Sequence, residues 1–213
     1  DFNLPNVFEI WNFRGQKLLE ENRLFLHQLT SSDFKVIDEP NAISSRERRW
    51  IQVEKALEIN PEPYVEKKGL KEEMDKWVFP LHFIDFETSA VAIPFNKGRH
   101  PYEQVAFQFS HHLCHSDGTI EHASEYINVN PGEFPNFKFV AALKKSLAND
   151  KGTIFRFATH ENSILNAIKD QLIASDYHKK DELISFIKTI TTPRSKDVDQ
   201  WIPKRPMVDL RPV

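Results

Sequence analysis

Two acids spaced one residue apart, Asp85 and Glu87, close the apolar run Phe79-Pro80-Leu81-His82-Phe83-Ile84-Asp85-Phe86-Glu87-Thr88. Residues 78–87 read as a buried strand, and on a strand the i, i+2 spacing puts both carboxylates on one face while Phe86 points to the other. Paired carboxylates at the end of an apolar strand repel each other and are costly to desolvate unless a cation sits between them. Oxygen-only ligands suit Mg²⁺ or Mn²⁺ rather than zinc. The chemistry that this pattern points to is metal-dependent phosphoryl transfer, against the plain alternative of a solvent-facing strand end.

A second acid-bearing segment, Ala158-Thr159-His160-Glu161-Asn162, stands where a strand gives way to a helix. Open α/β folds bind ligands at such places. Glu161 there is either a third metal carboxylate or a charge that complements the start of the helix. His160 reads as a polar loop residue, since hard Mg²⁺ rarely takes imidazole. Asp209, in Met207-Val208-Asp209-Leu210, is a further strand-end acid with a structural role as its alternative. His111, His112, His115 and His122 are scattered along two predicted strands, and the adjacent His111 and His112 face opposite sides and form no metal pair.

The elements that must position these groups begin with a helical first part. Over 1–31, Phe8, Trp11, Phe13, Leu18, Leu19, Phe25 and Leu29 recur at helical spacing around Gly15, predicting two short helices. Thr30-Ser31-Ser32-Asp33 reads as loop or capping chemistry, and Pro40 with Asn41 as a break. A helix is predicted from Ser44 to about Ile59, stopped by Pro61 and Pro63, and a charged one over about 66–76. This helical region, 1–77, is expected to pack on the remainder of the chain.

From Val78 the pattern changes to strands at 78–87, 104–114 and about 120–129, with a turn at Ser116-Asp117-Gly118-Thr119. A helix at 139–147, a strand at 153–159 after Gly152, helices at 161–174 and about 180–189, and a last strand at 207–210 complete the order. Three meandering strands, then helix, strand, helix and strand, is the order of an α/β, ribonuclease-H-like mixed sheet flanked by helices, expected over 78–213.

Composition is compatible with this. The chain has 213 residues, is 40% hydrophobic with 17 Phe and 6 Gly, and so can bury a sizeable core. A formal net charge of −3 gives no global attraction for nucleic acid, although a local patch suffices for that. The single cysteine, Cys114, excludes an intrachain disulfide and a cysteine-based metal cluster. No run approaches the ~18 apolar residues of a membrane span, and a cytoplasmic location without membrane partners is expected. The start at Asp1 and the stop at Val213 read as a fragment of a longer protein.

Three blocks carry a resemblance. Residues 80–88, then Ala92-Ile93-Pro94, then Pro101-Tyr102-Glu103-Gln104-Val105-Ala106-Phe107-Gln108-Phe109-Ser110 resemble the motifs of a bacterial family of unknown function. His160-Glu161 with Leu165, and Arg205-Pro206-Met207-Val208-Asp209-Leu210, extend the match to about 78–213. That domain is similar to DnaQ-like (DEDD) 3′–5′ exonucleases and usually lies C-terminal to a RecB-like nuclease domain. The resemblance implies that Asp85, Glu87 and Glu161 are catalytic and, with Asp209 as a further candidate, hold two Mg²⁺ or Mn²⁺ ions. Its last acidic motif is expected beyond Val213, which would leave this fragment inactive by itself. Glu161 stands where DnaQ-like enzymes usually have Asp.

The substrate implied is DNA or RNA, single-stranded or with a free 3′ end. Thr88, Arg99, Lys97, Gln108 and His160 are candidates to hold the strand, and Phe86 and Tyr102 to stack on its terminal base. The reading from another class is a non-catalytic module of the same fold that binds nucleic acid or docks a neighbouring domain.

Overall fold

The computed structural model describes residues 3–36, 43–60 and 62–211. The breaks expected at Pro40-Asn41 and Pro61, and the chain ends at 1–2 and 212–213, lie outside the described residues. The backbone divides into two units, Asp1–Met74 and Asp75–Val213, three residues before the expected boundary.

The first unit holds α1 (Gln16–Glu20), α2 (Ser31–Phe34), α3 (Ser45–Leu57) and α4 (Lys67–Met74), with 3-10 turns at Val7–Glu9 and Leu26–Gln28. Its core is Val7, Ile10, Leu18, Leu26, Leu29 and Val53. One expectation is corrected and one alternative is decided. The apolar residues of 1–31 form mostly turns, with Phe8 and Leu19 facing solvent. Thr30-Ser31-Ser32-Asp33 is capping chemistry that opens a helix rather than a loop: the Asp33 carboxylate accepts the Thr30 amide at 2.7 Å and is gripped by both Arg23 terminal nitrogens at 2.7 Å.

The second unit is a five-stranded mixed sheet in the order β3-β2-β1-β4-β5. The strands are β1 (Leu81–Ser89), β2 (Val105–Cys114), β3 (Ile120–Ile127), β4 (Ile154–Arg156) and β5 (Val208–Asp209). The first three pair antiparallel, whereas β1–β4 and β4–β5 are parallel. Helices α5 (Asn136–Ser146), α6 (His160–Ile173) and α7 (Lys180–Ile190) pack on the face that carries Ile84, Phe86, Phe109 and Ile154. This is the ribonuclease-H-like α/β arrangement. Beyond Leu81, which is buried on the opposite side, strand β1 is buried on that face and exposes Phe83, Asp85 and Glu87 on the other. Strand β4 is shorter than its apolar sequence predicts, because the chain turns away after Arg156.

At the amino end of β1 a polar chain runs through the core. Asp150 Oδ1 lies 2.7 Å from His82 Nε2, His82 Nδ1 lies 2.9 Å from His111 Nε2, and His111 Nδ1 lies 2.9 Å from Ser124 Oγ. The short contact to a carboxylate assigns the His82 proton to Nε2, so His111 donates to His82 and Ser124 to His111. Both rings are neutral in this arrangement and 1% exposed.

Burial pushes the His82 pKa down against the pull of Asp150, and burial with the His82 charge pushes His111 from 6.5 down to about 4. The unfolded chain therefore binds more protons than the folded one below 6.5. Stability is full above that pH and falls as pH drops towards 4, by on the order of 3 kcal/mol for His111. Denaturant midpoints measured across this window are expected to fall with pH and to fall less in His111→Gln. Equal slopes in the two proteins would refute the assignment.

Candidate metal centre

The carboxyl ends of the three parallel strands β1, β4 and β5 lie side by side, and the acidic groups gather there. Asp85 and Glu87 leave β1 on its exposed face, one residue apart. Beside them across the antiparallel seam stand Ser110, opposite Asp85, and Gln108, opposite Glu87. The register slips between Glu87 and Thr88, a bulge of the kind that re-aims side chains at strand ends.

After β4 the chain turns through Phe157, Ala158 and Thr159 into α6. Ala158 holds φ at 65°, a left-handed conformation that costs a non-glycine residue about 1 kcal/mol or more. Asp209 braces it. Its Oδ1 accepts the Ala158 amide at 2.9 Å and the Arg211 amide at 3.0 Å, and its Oδ2 pairs with Arg156 at 3.0 Å. Arg156 also donates to the Ala158 carbonyl. The Asp209 carboxylate, expected among the metal ligands, is thus taken up by a guanidinium and two amides, and what it does here is hold the turn.

That turn presents His160 and Glu161. His160 Nε2 lies 3.3 Å from Thr88 Oγ1, which ties the start of α6 to the end of β1. Asn162 fastens the same helix turn to Thr192, accepting its amide at 2.9 Å and donating to its carbonyl at 3.1 Å. Glu161 is 2% exposed, and its Oε2 has no hydrogen-bond partner. Burial raises its pKa, its own backbone amide and His160 oppose that, and the Asp85 charge raises it further. An orphaned carboxylate oxygen in the field of a second carboxylate is what a hard divalent cation relieves, and Asp85, Glu87 and Glu161 are oxygen donors of the type Mg²⁺ or Mn²⁺ takes, although among the described residues no three such side chains are arranged to hold an ion as they stand.

The other predicted residues sort cleanly. Phe86 is corrected: it is 4% exposed and packs edge-on to Phe139 at 4.9 Å, so it belongs to the core and cannot stack on a base. Arg99 is committed to Glu103 at 3.1 Å and to the Phe134 ring, whose centroid is 3.5 Å away. Tyr102 is exposed and bonds Val91 within the β1–β2 loop, where Lys97 is exposed as well. Thr88, Gln108 and His160 stand with the carboxylates.

With this geometry in place, comparison with known families decides the affiliation. A family model described as a domain of unknown function, DUF2779, matches residues 82–213. The chain belongs to that family. The match takes in β1 through β5, and with them Asp85, Glu87, Glu161 and Asp209. No curated protein and no solved structure matches the chain.

In this DUF2779 domain, Glu161→Gln keeps the shape of the side chain and removes an unsatisfied buried carboxylate. With chelator present it is expected to stabilise the protein by about 1–2 kcal/mol, read as a denaturant midpoint. Mg²⁺ or Mn²⁺ should then stabilise the native chain and not the variant. A variant less stable than the native chain in chelator would show that Glu161 is not under electrostatic strain.

Proposed function

We propose that this domain is the catalytic core of a divalent-metal-dependent nuclease of the DnaQ-like 3′–5′ exonuclease type, acting on DNA or RNA. The observation that carries the reading is Glu161, a buried carboxylate with a free oxygen, held in the field of Asp85 at the carboxyl ends of parallel strands. Mg²⁺ or Mn²⁺, when bound, supplies Lewis-acid activation of water and charge neutralisation for an in-line phosphodiester displacement.

The chain's own residues do the rest. Asp85 and Glu87 offer oxygens from the strand face, and Glu161 offers one from the start of α6. The Glu161 carboxylate keeps counter-charge close while the N-terminal amides of α6 favour a substrate phosphate. Thr88 and His160, already in contact, offer donors to the strand end, and Gln108 beside Glu87 adds an amide. The motifs also support a RecB-like nuclease domain as its neighbour in the natural protein. With one cysteine and no helix among the described residues long and apolar enough to cross a membrane, the same reading puts its work in the cytoplasm.

One observation favours a second reading. Among the described residues no three His, Cys, Asp or Glu side chains are arranged so as to hold a metal ion. A non-catalytic module that binds nucleic acid or docks a neighbouring domain would have no need of such an arrangement.

The test is digestion of end-labelled single-stranded DNA and RNA by this chain and by the natural protein containing it. Any second nuclease site is disabled, and Mg²⁺ or Mn²⁺ is compared with chelator. Stepwise, metal-dependent shortening from the 3′ end supports the nuclease. Binding that persists in chelator, with no digestion by either protein, moves the assignment to the non-catalytic module.

A further inference from the structure

We infer that His112 and His122 form a second cation site, one for a borderline-soft transition-metal ion such as Zn²⁺, separate from the carboxylate centre. The inference does not rest on the nuclease reading. His112 on β2 and His122 on β3 are register partners, with a slip in pairing between His111 and His112. That bulge lets His111 pair with Ser124 in the core while His112 meets His122 on the exposed face.

His112 Nε2 lies 3.2 Å from His122 Nδ1. Two nitrogens bound at about 2.0–2.1 Å to one tetrahedral zinc ion stand roughly 3.3–3.4 Å apart. The hydrogen-bonded nitrogens are therefore already about as far apart as those of a two-imidazole chelate, so that a turn of the rings bringing both lone pairs to one ion needs little change in their separation.

The second observation is what lies behind the ring. His122 Nε2 is 2.8 Å from Glu125 Oε2. The carboxylate assigns the proton to Nε2 and leaves the Nδ1 lone pair facing His112. A histidine whose far nitrogen donates to a carboxylate is the usual setting of a metal-bound imidazole, because it fixes the tautomer and raises ligand basicity.

In the metal-free chain His112 donates its Nε2 proton to that lone pair. On binding, His112 carries its proton on Nδ1 instead, both lone pairs meet the ion, and water completes the shell without loss of a proton to solvent. Neutral imidazole selects zinc, copper or nickel over Mg²⁺. The other histidine pair, His82–His111, is sealed in the core by Asp150 and Ser124 and offers no entry.

The experiment is a Zn²⁺ titration of the full chain against a chromophoric chelator, with excess Mg²⁺ present. It is repeated for His112→Ala, His122→Ala, Glu125→Gln, His115→Ala and Asp85→Asn, with circular dichroism confirming that each variant folds. His112→Gln serves as a second variant where His112→Ala fails to fold. The strongest site is expected to vanish in either His112 or His122 variant and to weaken about tenfold in Glu125→Gln. It should be unchanged in His115→Ala and Asp85→Asn. Native-like zinc binding in both the His112 and His122 variants, or no binding by the native chain, overturns the proposal; unchanged affinity in Glu125→Gln overturns the role of Glu125.

Discussion

In the full-length protein, Asp85→Asn is expected to abolish metal-dependent digestion of nucleic acid while leaving the fold in place. Asp85 points to solvent from a strand whose other face is buried, so the amide changes no packing, and stability should move by no more than about 0.5 kcal/mol. What it removes is a negative charge at the point where a divalent cation would be held between strand and helix. On the proposed nuclease reading, loss of that ligand would forfeit several kcal/mol of transition-state stabilisation, roughly a thousandfold or more in rate. Rates from single-turnover digestion, with the two proteins' denaturant midpoints measured alongside, check both halves. Unchanged turnover in the variant would remove Asp85 from the chemistry and take the two-metal reading with it.

Gly152→Ala is the largest expected change in stability. A methyl group built on Gly152 would lie 1.8 Å from the Pro80 carbonyl oxygen and 3.0 Å from His82 Nε2. The first is backbone and cannot swing aside. It belongs to the seam where β1 meets β4, in which Thr153 donates to Val78 at 2.8 Å and His82 donates to Thr153 at 2.8 Å. The Gly152 amide donates to Asp150 at 2.8 Å and its carbonyl accepts from Arg205 Nε at 2.7 Å, so moving it disturbs the buried histidine chain. We expect a loss of about 3 kcal/mol, or roughly 6–12 °C in Tm for a chain of this size. A Tm within 2 °C of the native value, on the order of 1 kcal/mol or less, would contradict the close approach.

What could be read in the sequence is what obeys short-range periodicity. The strand period of two put Asp85 and Glu87 together, and the same rule sends Phe86 into the core, against its assignment to substrate. The helix starting at His160 was legible because a strand, a turn and an apolar 3.6-residue pattern succeed one another there. Long-range polar pairing was not legible. His82 finds His111 29 positions away and Asp150 68 away, Asp150 finds Arg205 55 away, and no local pattern announces such partners. The His112–His122 pair was hidden differently: a one-residue bulge decides which side chains meet, and bulges leave little trace in composition. Gly152 reads as punctuation before a strand, although it is there because Pro80 comes too close for any Cβ.

The brace on Ala158 bears on how the protein is made. Ala158 and Asp209 are 51 positions apart in the chain. At about 5–20 residues per second a ribosome needs roughly 3–10 s to deliver the second after the first. Until then the turn that presents Glu161 lacks both the carboxylate that takes its amide and the β5 partner of Arg156. A nascent chain can form the β1–β2–β3 meander early, but its acidic edge is assembled only when the end of the sheet arrives. The order of synthesis thus keeps the half-made protein without a finished centre.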